Sequence, residues 1–393
     1  MTPCALGWDN HRKFSKVSLM ERTADGQIRA VERARLEHND RDAMRAWLSR
    51  LDPEIPVALE ATFGWPWVAD LLEELGHPVH LGHPPIIRAL AKHEAKTDRC
   101  DSDRLGKFQL RGILPESYLA PPAVRQRRER TRYRMALSAL RTGVKNRAQA
   151  ILHRHGILHD FSDLFGKAGR RFLEDLALPE GSRQALNGYL QLLDRLLLQI
   201  HEVEQWMLEN LAEDEIVRLL TSIPGIGLIL AHVIRAEIGE IERFPTFRHL
   251  AGYDGLAPMS DDTAGREGPR HCSPACNHVL RWAFVEAVQG VQRTKGPHGF
   301  HLRRLYARLC SHGRQQGRKS SAKVAVAHEL SKLVYVVWTK RVPYTDTPPP
   351  RPGSREDRRQ TKESSTAKTT LRSDQPRHPM VRGRSKTGRQ TQS

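Results

Sequence analysis

Three carboxylates, Asp98, Asp101 and Asp103, fall within six residues of a chain whose formal net charge is +18. If the stretch is helical, Asp98 and Asp101 share one face, with Cβ atoms about 5–6 Å apart. Carboxylates that close repel unless a cation or a proton lies between them. A fold that accepts this stretch must either leave it as a solvated helix face or set it against a hard divalent ion such as Mg²⁺, which takes oxygen ligands. Two other acids bear on the choice. Asp9 ends the apolar run Ala5-Leu6-Gly7-Trp8, and Glu60 ends Val57-Ala58-Leu59. If both runs are strands of one sheet, ligands bind beyond their carboxyl ends. Asp9, Glu60, Asp98 and Asp101 could then converge at one rim, which is a two-metal site in outline. Taken singly, Asp9 reads as well as a cap or turn residue, and Glu60 as a helix N-terminal charge.

The rest of the first 115 residues mixes strands and helices. Phe14 to Met20 and Gln27 to Val31 flank a turn signal at Asp25-Gly26 and read as a hairpin. Asp40 to Leu51 reads as a helix capped by Asp40, and Trp65 to Leu75 as one that stops at Gly76. Val79 to Leu81 is a short strand, Pro85 to His93 a helix, and Asp98 to Arg111 the helix of the acids. An α/β domain over residues 1–115 follows.

From Pro121 the material changes. Arg125 to Arg134 holds six arginines, and Arg141, Lys145, Arg147 and Arg154 continue the theme. Leu137, Leu140, Val144 and Ile151 recur at helical spacing, so this is a long basic amphipathic helix, with Arg125, Arg127, Arg128, Arg141, Lys145 and Arg147 as phosphate-facing candidates. Leu186, Leu190, Leu193, Leu197, Ile200 and Val203 run close to a heptad rhythm, which predicts a helical hairpin or coiled coil over 116–212. Residues 213–345 are mostly helical. There Ile223-Pro224-Gly225-Ile226-Gly227 lies between two apolar helical segments, and the turn with Gly225 and Gly227 before a helix N-terminus suits phosphate gripping in a helix-hairpin-helix element. Gly296 to Lys323, rich in Arg and His, reads as a further nucleic-acid surface. His271, Cys272, Cys276 and His278 are spaced too loosely for a typical zinc site. Residues 346–393 hold almost no apolar side chain and are expected to be a disordered basic tail.

The basic balance makes nucleic acid the first candidate partner and an anionic membrane surface the second. No apolar run reaches transmembrane length, the first residues lack signal-peptide order, and five cysteines are no disulfide scaffold. A cytoplasmic setting fits.

Four blocks in order resemble the DEDD-type insertion-sequence transposases, the serine-assisted recombinases guided by a bridge RNA. They are Gly7-Trp8-Asp9; Ala58-Leu59-Glu60-Ala61-Thr62; Lys96-Thr97-Asp98 with Asp101; and a later set, Ile223 to Gly227, Ala236-Glu237-Ile238-Gly239, Gly255-Leu256-Ala257-Pro258 and Leu280-Arg281-Trp282-Ala283. The resemblance runs from about Ala5 to Tyr344. It implies a RuvC-like, RNase H-type domain whose Asp9, Glu60, Asp98 and Asp101 hold Mg²⁺, with Asp103 a bystander. It further implies double-stranded DNA and a structured guide RNA as partners, and assembly as a dimer or tetramer. The family serine nucleophile is replaced: Thr263 stands at its position when counted back from Leu280-Arg281, and Ser260 is the nearest serine. Three readings stay open: attack by Thr263, attack by Ser260 through a shifted loop, or an impaired copy that only binds DNA. A junction-cleaving nuclease using the acids alone is disfavoured, because such an enzyme needs neither Gly-Leu-Ala-Pro nor the helical hairpin.

Overall fold

The computed structural model describes residues 3–91, 101–209, 213–260, 270–273, 275–311 and 318–346. Two compact units divide the chain, Met1–Tyr133 and Arg134–Ser393. The expected tail falls outside the described residues.

The first unit is built on a five-stranded sheet of β1 (Cys4–Asn10), β2 (Phe14–Arg22), β3 (Ile28–Glu37), β4 (Val57–Glu60) and β5 (Val79–Gly82). Their order is β3-β2-β1-β4-β5. The first three form an antiparallel meander, while β1, β4 and β5 run parallel. The β2–β3 turn contains Gly26 at φ 83°, as the Asp25-Gly26 signal predicts. Helices α1 (Arg41–Leu48), α2 (Trp65–Glu74), α3 (Pro84–Ala91) and α4 (Asp101–Arg111) complete the layers. Asp40 caps α1 by accepting from the Ala43 amide at 2.9 Å.

Period two along each strand sorts the side chains. Leu6, Trp8, Val57 and Leu59 pack with Met44 and Leu48 of α1 and Val68 and Leu72 of α2. Ala58 packs on the opposite face with Ile87 of α3 and Leu105 and Phe108 of α4. Gly7 shares that second face, where α4 lies against the strand: a Cβ on Gly7 would stand 1.8 Å from the Ser102 carbonyl oxygen and 2.6 Å from the Gly106 amide nitrogen. A glycine on β1 is thus what allows helix and sheet backbones to touch. Trp8 turns the other way, fully buried, and donates its indole N–H to Ser15 Oγ at 2.9 Å.

The second unit is helical. The long basic helix forms as α5 (Pro122–Arg154), within which the division between units falls. From Arg134 onward it packs against α6 (Lys167–Asp175) and α7 (Glu180–Glu209) through Leu137, Val144, Ala148 and Ile151. Leu186, Leu193, Ile200 and Met207 of α7 are buried at heptad spacing. Leu190 is buried between the first two, and between Leu193 and Ile200 the buried leucine is Leu196, while Leu197 is 41% exposed. The expected seam is corrected by one residue there, because α7 presents Leu196 to the partner helix.

The remaining helices are α8 (Glu215–Thr221), α9 (Leu228–Ile238), α10 (Phe247–Tyr253), α11 (His278–Arg293), α12 (Phe300–Ser311) and α13 (Arg318–Lys340), with a 3-10 turn at Ile241–Arg243. They enclose one core in which Leu220, Ile234, Leu280, Phe284, Leu330 and Trp338 meet. A two-stranded ribbon, β6 (Pro258–Ser260) with β7 (Arg270–Cys272), follows α10 and precedes α11 in the chain. Among the described residues no helix is long and apolar enough to cross a membrane.

Candidate functional site

Asp9 follows Trp8 near the end of β1, and Glu60 is the last residue of β4. The parallel register pairs Leu6 with Val57, Gly7 with Ala58 and Trp8 with Leu59, so the next step along each strand reaches Asp9 and Glu60. Adjacent strands lie about 4.8 Å apart. By strand alternation both acids share the face that carries Gly7 and Ala58, the face on which α4 packs. Asp101 is the first residue of α4.

The electrostatics agree with this geometry. Burial pushes the Asp9 carboxyl above the ordinary carboxylate range, and the Asp101 charge adds to the rise; His11, 3.1 Å away, offsets part of it. Glu60 is pushed up by burial, then by the charges of Asp9 and Asp101, with Arg88 and Arg104 acting the other way. The structure therefore brings Asp9, Glu60 and Asp101 into mutual electrostatic contact. Arg104 donates from Nη1 to Asp101 at 2.8 Å, and its own Nε is buried without a hydrogen-bond partner. Asp98 lies outside the described residues, and among those described no three His, Cys, Asp or Glu side chains already stand as an ion-holding group. His11, Arg88 and Arg104 offset part of the negative charge, and the acids themselves offer oxygen donors, which suit a hard divalent ion.

Asp103, two residues on, is a structural acid. Arg33 of β3 grips it at 2.9 and 2.6 Å, and these contacts, with Ser18, hold its carboxyl below the usual range despite its burial.

The basic helix divides its cations between structure and solvent. Arg125 donates to the Asp70 carboxylate and to the Pro66 carbonyl, so α2 holds its guanidinium. Arg128 lies 5.5 Å over the Tyr118 ring and Lys145 4.9 Å over Phe165. Arg127 and Arg141 are half-buried and Arg147 is exposed. Arg134, within the arginine run, pairs with Glu204 of α7.

In the second unit, Gly225 sits in the turn between α8 and α9 at φ 85°. An added Cβ there would lie 2.3 Å from the Ala287 carbonyl oxygen, so the turn presses directly on α11. Gly227 is the N-cap of α9 and offers no side chain to the first-turn amides.

Thr263 lies outside the described residues, but the flanks of its segment are well held. β6 and β7 pair Pro258 with Cys272 and Ser260 with Arg270. Arg281 donates to the carbonyls of Asp254 and Gly255 on one side and Ser273 on the other. Asp254 is fully buried; it accepts from the Leu256 amide at 2.9 Å and from Ser331 Oγ at 2.5 Å. Burial pushes its carboxyl up to about 7. The buried Glu237 accepts from Asn277 at 2.8 Å, and Asn277 caps α11 through the Leu280 amide. The contacts of Arg281 with Asp254 and Gly255, of Asp254 with Ser331 and of Glu237 with Asn277 were not legible beforehand, because each joins residues distant in the sequence.

The first unit is a mixed α/β domain with acids at the carboxyl ends of two parallel strands. Residues 6–157 match a transposase model of the DEDD IS110 type, and residues 217–302 match the transposase IS116/IS110/IS902 family. The two matches lie in order along one chain and together take in more than half of it. The chain belongs to the IS110/IS116/IS902 family of transposases. It is 26% identical over 300 residues to the transposase for insertion sequence element IS1328 of Yersinia enterocolitica, covering 73% of this chain and 85% of that one. It is 24% identical over 281 residues to the transposase for insertion sequence element IS1111A of Coxiella burnetii, covering 69% and 74% respectively. A third relative, the IS110 insertion element uncharacterized 43.6 kDa protein of Streptomyces coelicolor, is 30% identical over 145 residues, 30% of this chain and 36% of that one.

Proposed function

We propose that this chain cuts and rejoins double-stranded DNA as an insertion-sequence recombinase, with a RuvC-like first domain and a helix-hairpin-helix in the last. The observation that carries the reading is the convergence of Asp9 and Glu60, at the carboxyl ends of two parallel strands, with Asp101 at the start of α4; burial, and then the charge of Asp101, raises the proton affinity of both Asp9 and Glu60. Asp9, Glu60, Asp98 and Asp101 would hold Mg²⁺, which would polarise a scissile phosphate. Thr263 then supplies the hydroxyl. Its Oγ1 bonds to phosphorus as a bond from phosphorus to a deoxyribose oxygen breaks, and the proton lost by the threonine is balanced by the one that oxygen gains. Attack by another DNA hydroxyl reverses the step and rejoins the strands. The β-methyl of threonine crowds this attack and restricts χ1, which favours a second reading, a DNA-binding remnant without chemistry. Cations of α5 and the Gly225–Gly227 turn would hold DNA backbone, and a structured guide RNA and self-association to a dimer or tetramer complete the proposal. The finer division into 1–115, 116–212, 213–345 and 346–393 belongs to it as well.

The test incubates the protein with Mg²⁺, guide RNA and labelled element-end DNA and looks for a denaturant-resistant protein–DNA adduct. Thr263→Ala is expected to abolish the adduct and Thr263→Ser to keep or raise it. Loss in Ser260→Ala with retention in Thr263→Ala moves the nucleophile to Ser260. Asp9→Asn and Glu60→Gln are expected to abolish cleavage while DNA binding persists. Undiminished cleavage in both would remove the acids from the reaction.

A further inference from the structure

A groove of about 650 Å³ opens in the second unit. One wall is α5, through Ser138 and Arg141; the other is a single face of α11, through Trp282, Glu286, Gln289 and Arg293 at successive helical turns. The floor is the Gly225–Gly227 turn and the first turn of α9.

The floor attracts anions. First-turn amides have no acceptor within their own helix, the N-cap Gly227 gives them none, and the helix dipole places positive charge there. The walls add to it. Arg134 is matched by Glu204, but Arg141 and Arg293 have no ion-pair partner among the described residues. Ser138 Oγ is buried with no hydrogen-bond partner. A phosphate alone would explain these features, but not Trp282. Its neighbours Leu280, Ala283 and Phe284 are fully buried, so α11 is firmly seated, yet Trp282 is 38% exposed on the groove wall. Glu286 and Gln289 follow one and two turns along, and both can hydrogen-bond the edge of a base. A paired duplex keeps its base faces stacked inside. An aromatic face beside polar edge-readers and an anion floor suits a base that has left the stack, and the volume lies in the range of ligand sites.

We infer that this groove holds one unpaired nucleotide, its base against the Trp282 ring with its edge toward Glu286 and Gln289, and its phosphate on the α9 amides with Arg141 and Arg293. The inference rests on the reading of the chain as a nucleic-acid recombinase and names a ligand that reading does not specify. The nucleotide can come from a DNA strand or from an RNA strand.

The test uses the full-length protein without divalent ions and fluorescence anisotropy on three DNA probes: a fully paired duplex, the same duplex with one extrahelical nucleotide, and that bulge made abasic. An RNA set repeats them. The bulged probe is expected to bind about tenfold more tightly than the paired or abasic ones, within the range of base–aromatic stacking. Trp282→Ala should erase that margin and leave paired-duplex affinity unchanged, while Trp282→Phe should keep most of it. A larger margin in the DNA or the RNA set supports the site and assigns its source. An abasic bulge that binds as tightly as the intact one, or a margin that survives Trp282→Ala, overturns the inference. Absence of salt-dependent binding to the paired duplex would instead overturn the parent reading, so the two failures are distinct.

Discussion

Asp254→Asn separates the frame of the second unit from its chemistry. Asp254 is fully buried against Ser331 Oγ and the Leu256 amide, and its carboxyl is pushed up to about 7, chiefly by burial. In the unfolded chain the same group titrates near 3.9. The folded state therefore binds more protons between about pH 4 and 7, and stability from this group is present at low pH and lost as pH rises through 7. Between pH 5.5 and 8.5 the linkage integral for these two values is about 2 kcal/mol. Asparagine resembles the protonated acid, can still accept from the Leu256 amide, and does not titrate. The variant should match the wild type within about 1 kcal/mol at pH 5.5 and exceed it at pH 8.5, so that the difference between them changes by about 2 kcal/mol. Urea unfolding at several pH values measures this, and histidine titrations cancel because both proteins share them. Ser331→Ala removes a hydrogen bond that lowers the Asp254 pKa, so it should move the loss of stability to higher pH. Parallel wild-type and Asp254→Asn curves across the range would refute the reasoning.

Gly225→Ala should destabilise the second unit by roughly 2–4 kcal/mol, since it combines a left-handed backbone cost with a forced displacement of α11, and the midpoint of thermal unfolding reads it. Arg33→Ala leaves the buried Asp103 without its bidentate partner; a loss of about 1–2 kcal/mol is expected at neutral pH. Because the Asp103 pKa is depressed in the folded state, that stability is present at neutral pH in the wild type and fades as pH falls below the ordinary carboxylate range, so the variant and wild type should approach each other in acid. Duplex binding should weaken with a log–log salt slope of about −0.9 per phosphate contact, and Arg147→Ala should reduce that slope by about one contact. Arg125→Ala should leave the slope unchanged and loosen α2, and an equal effect of the two substitutions would count against the division of cations seen along α5.

What was legible in the sequence was local. Asp9 and Glu60 stand at or next to strand ends as the apolar runs before them indicate, because a short buried strand stops where its apolar run stops and leaves the acid at the rim. The Asp25-Gly26 turn and the Asp40 cap declare themselves through their own chemistry. The α7 seam was legible to within one residue: the heptad positions Leu186, Leu193 and Ile200 are buried as read, and only between Leu193 and Ile200 does Leu196 take the place expected for Leu197. Arg125 shows the limit of a charge run: composition counts cations but not the Asp70 carboxylate that meets one of them 55 residues away in sequence. Glu237, Asp254 and Arg281 lay beyond reach for the same reason. Asp254 meets Ser331 across 77 positions, and a buried acid looks no different in a sequence from an exposed one. The blocks that carry the family resemblance thus mix chemistry and scaffold: Trp8 and Leu280 are core, and Arg281 is a tether.

That tether has a consequence for how such a chain can change. The ribbon and Arg281 join the two ends of the segment between Ser260 and Arg270 before anything within it contributes. The entropy of bringing those ends together is met by the flanks, and even doubling the length of such a segment costs only about 0.6 kcal/mol. By chain entropy alone, lengthening the segment between these flanks therefore costs the fold little. On the proposed reading of Thr263 as the nucleophile, Thr263→Ser would then be read out by the adduct assay rather than by the stability of the fold.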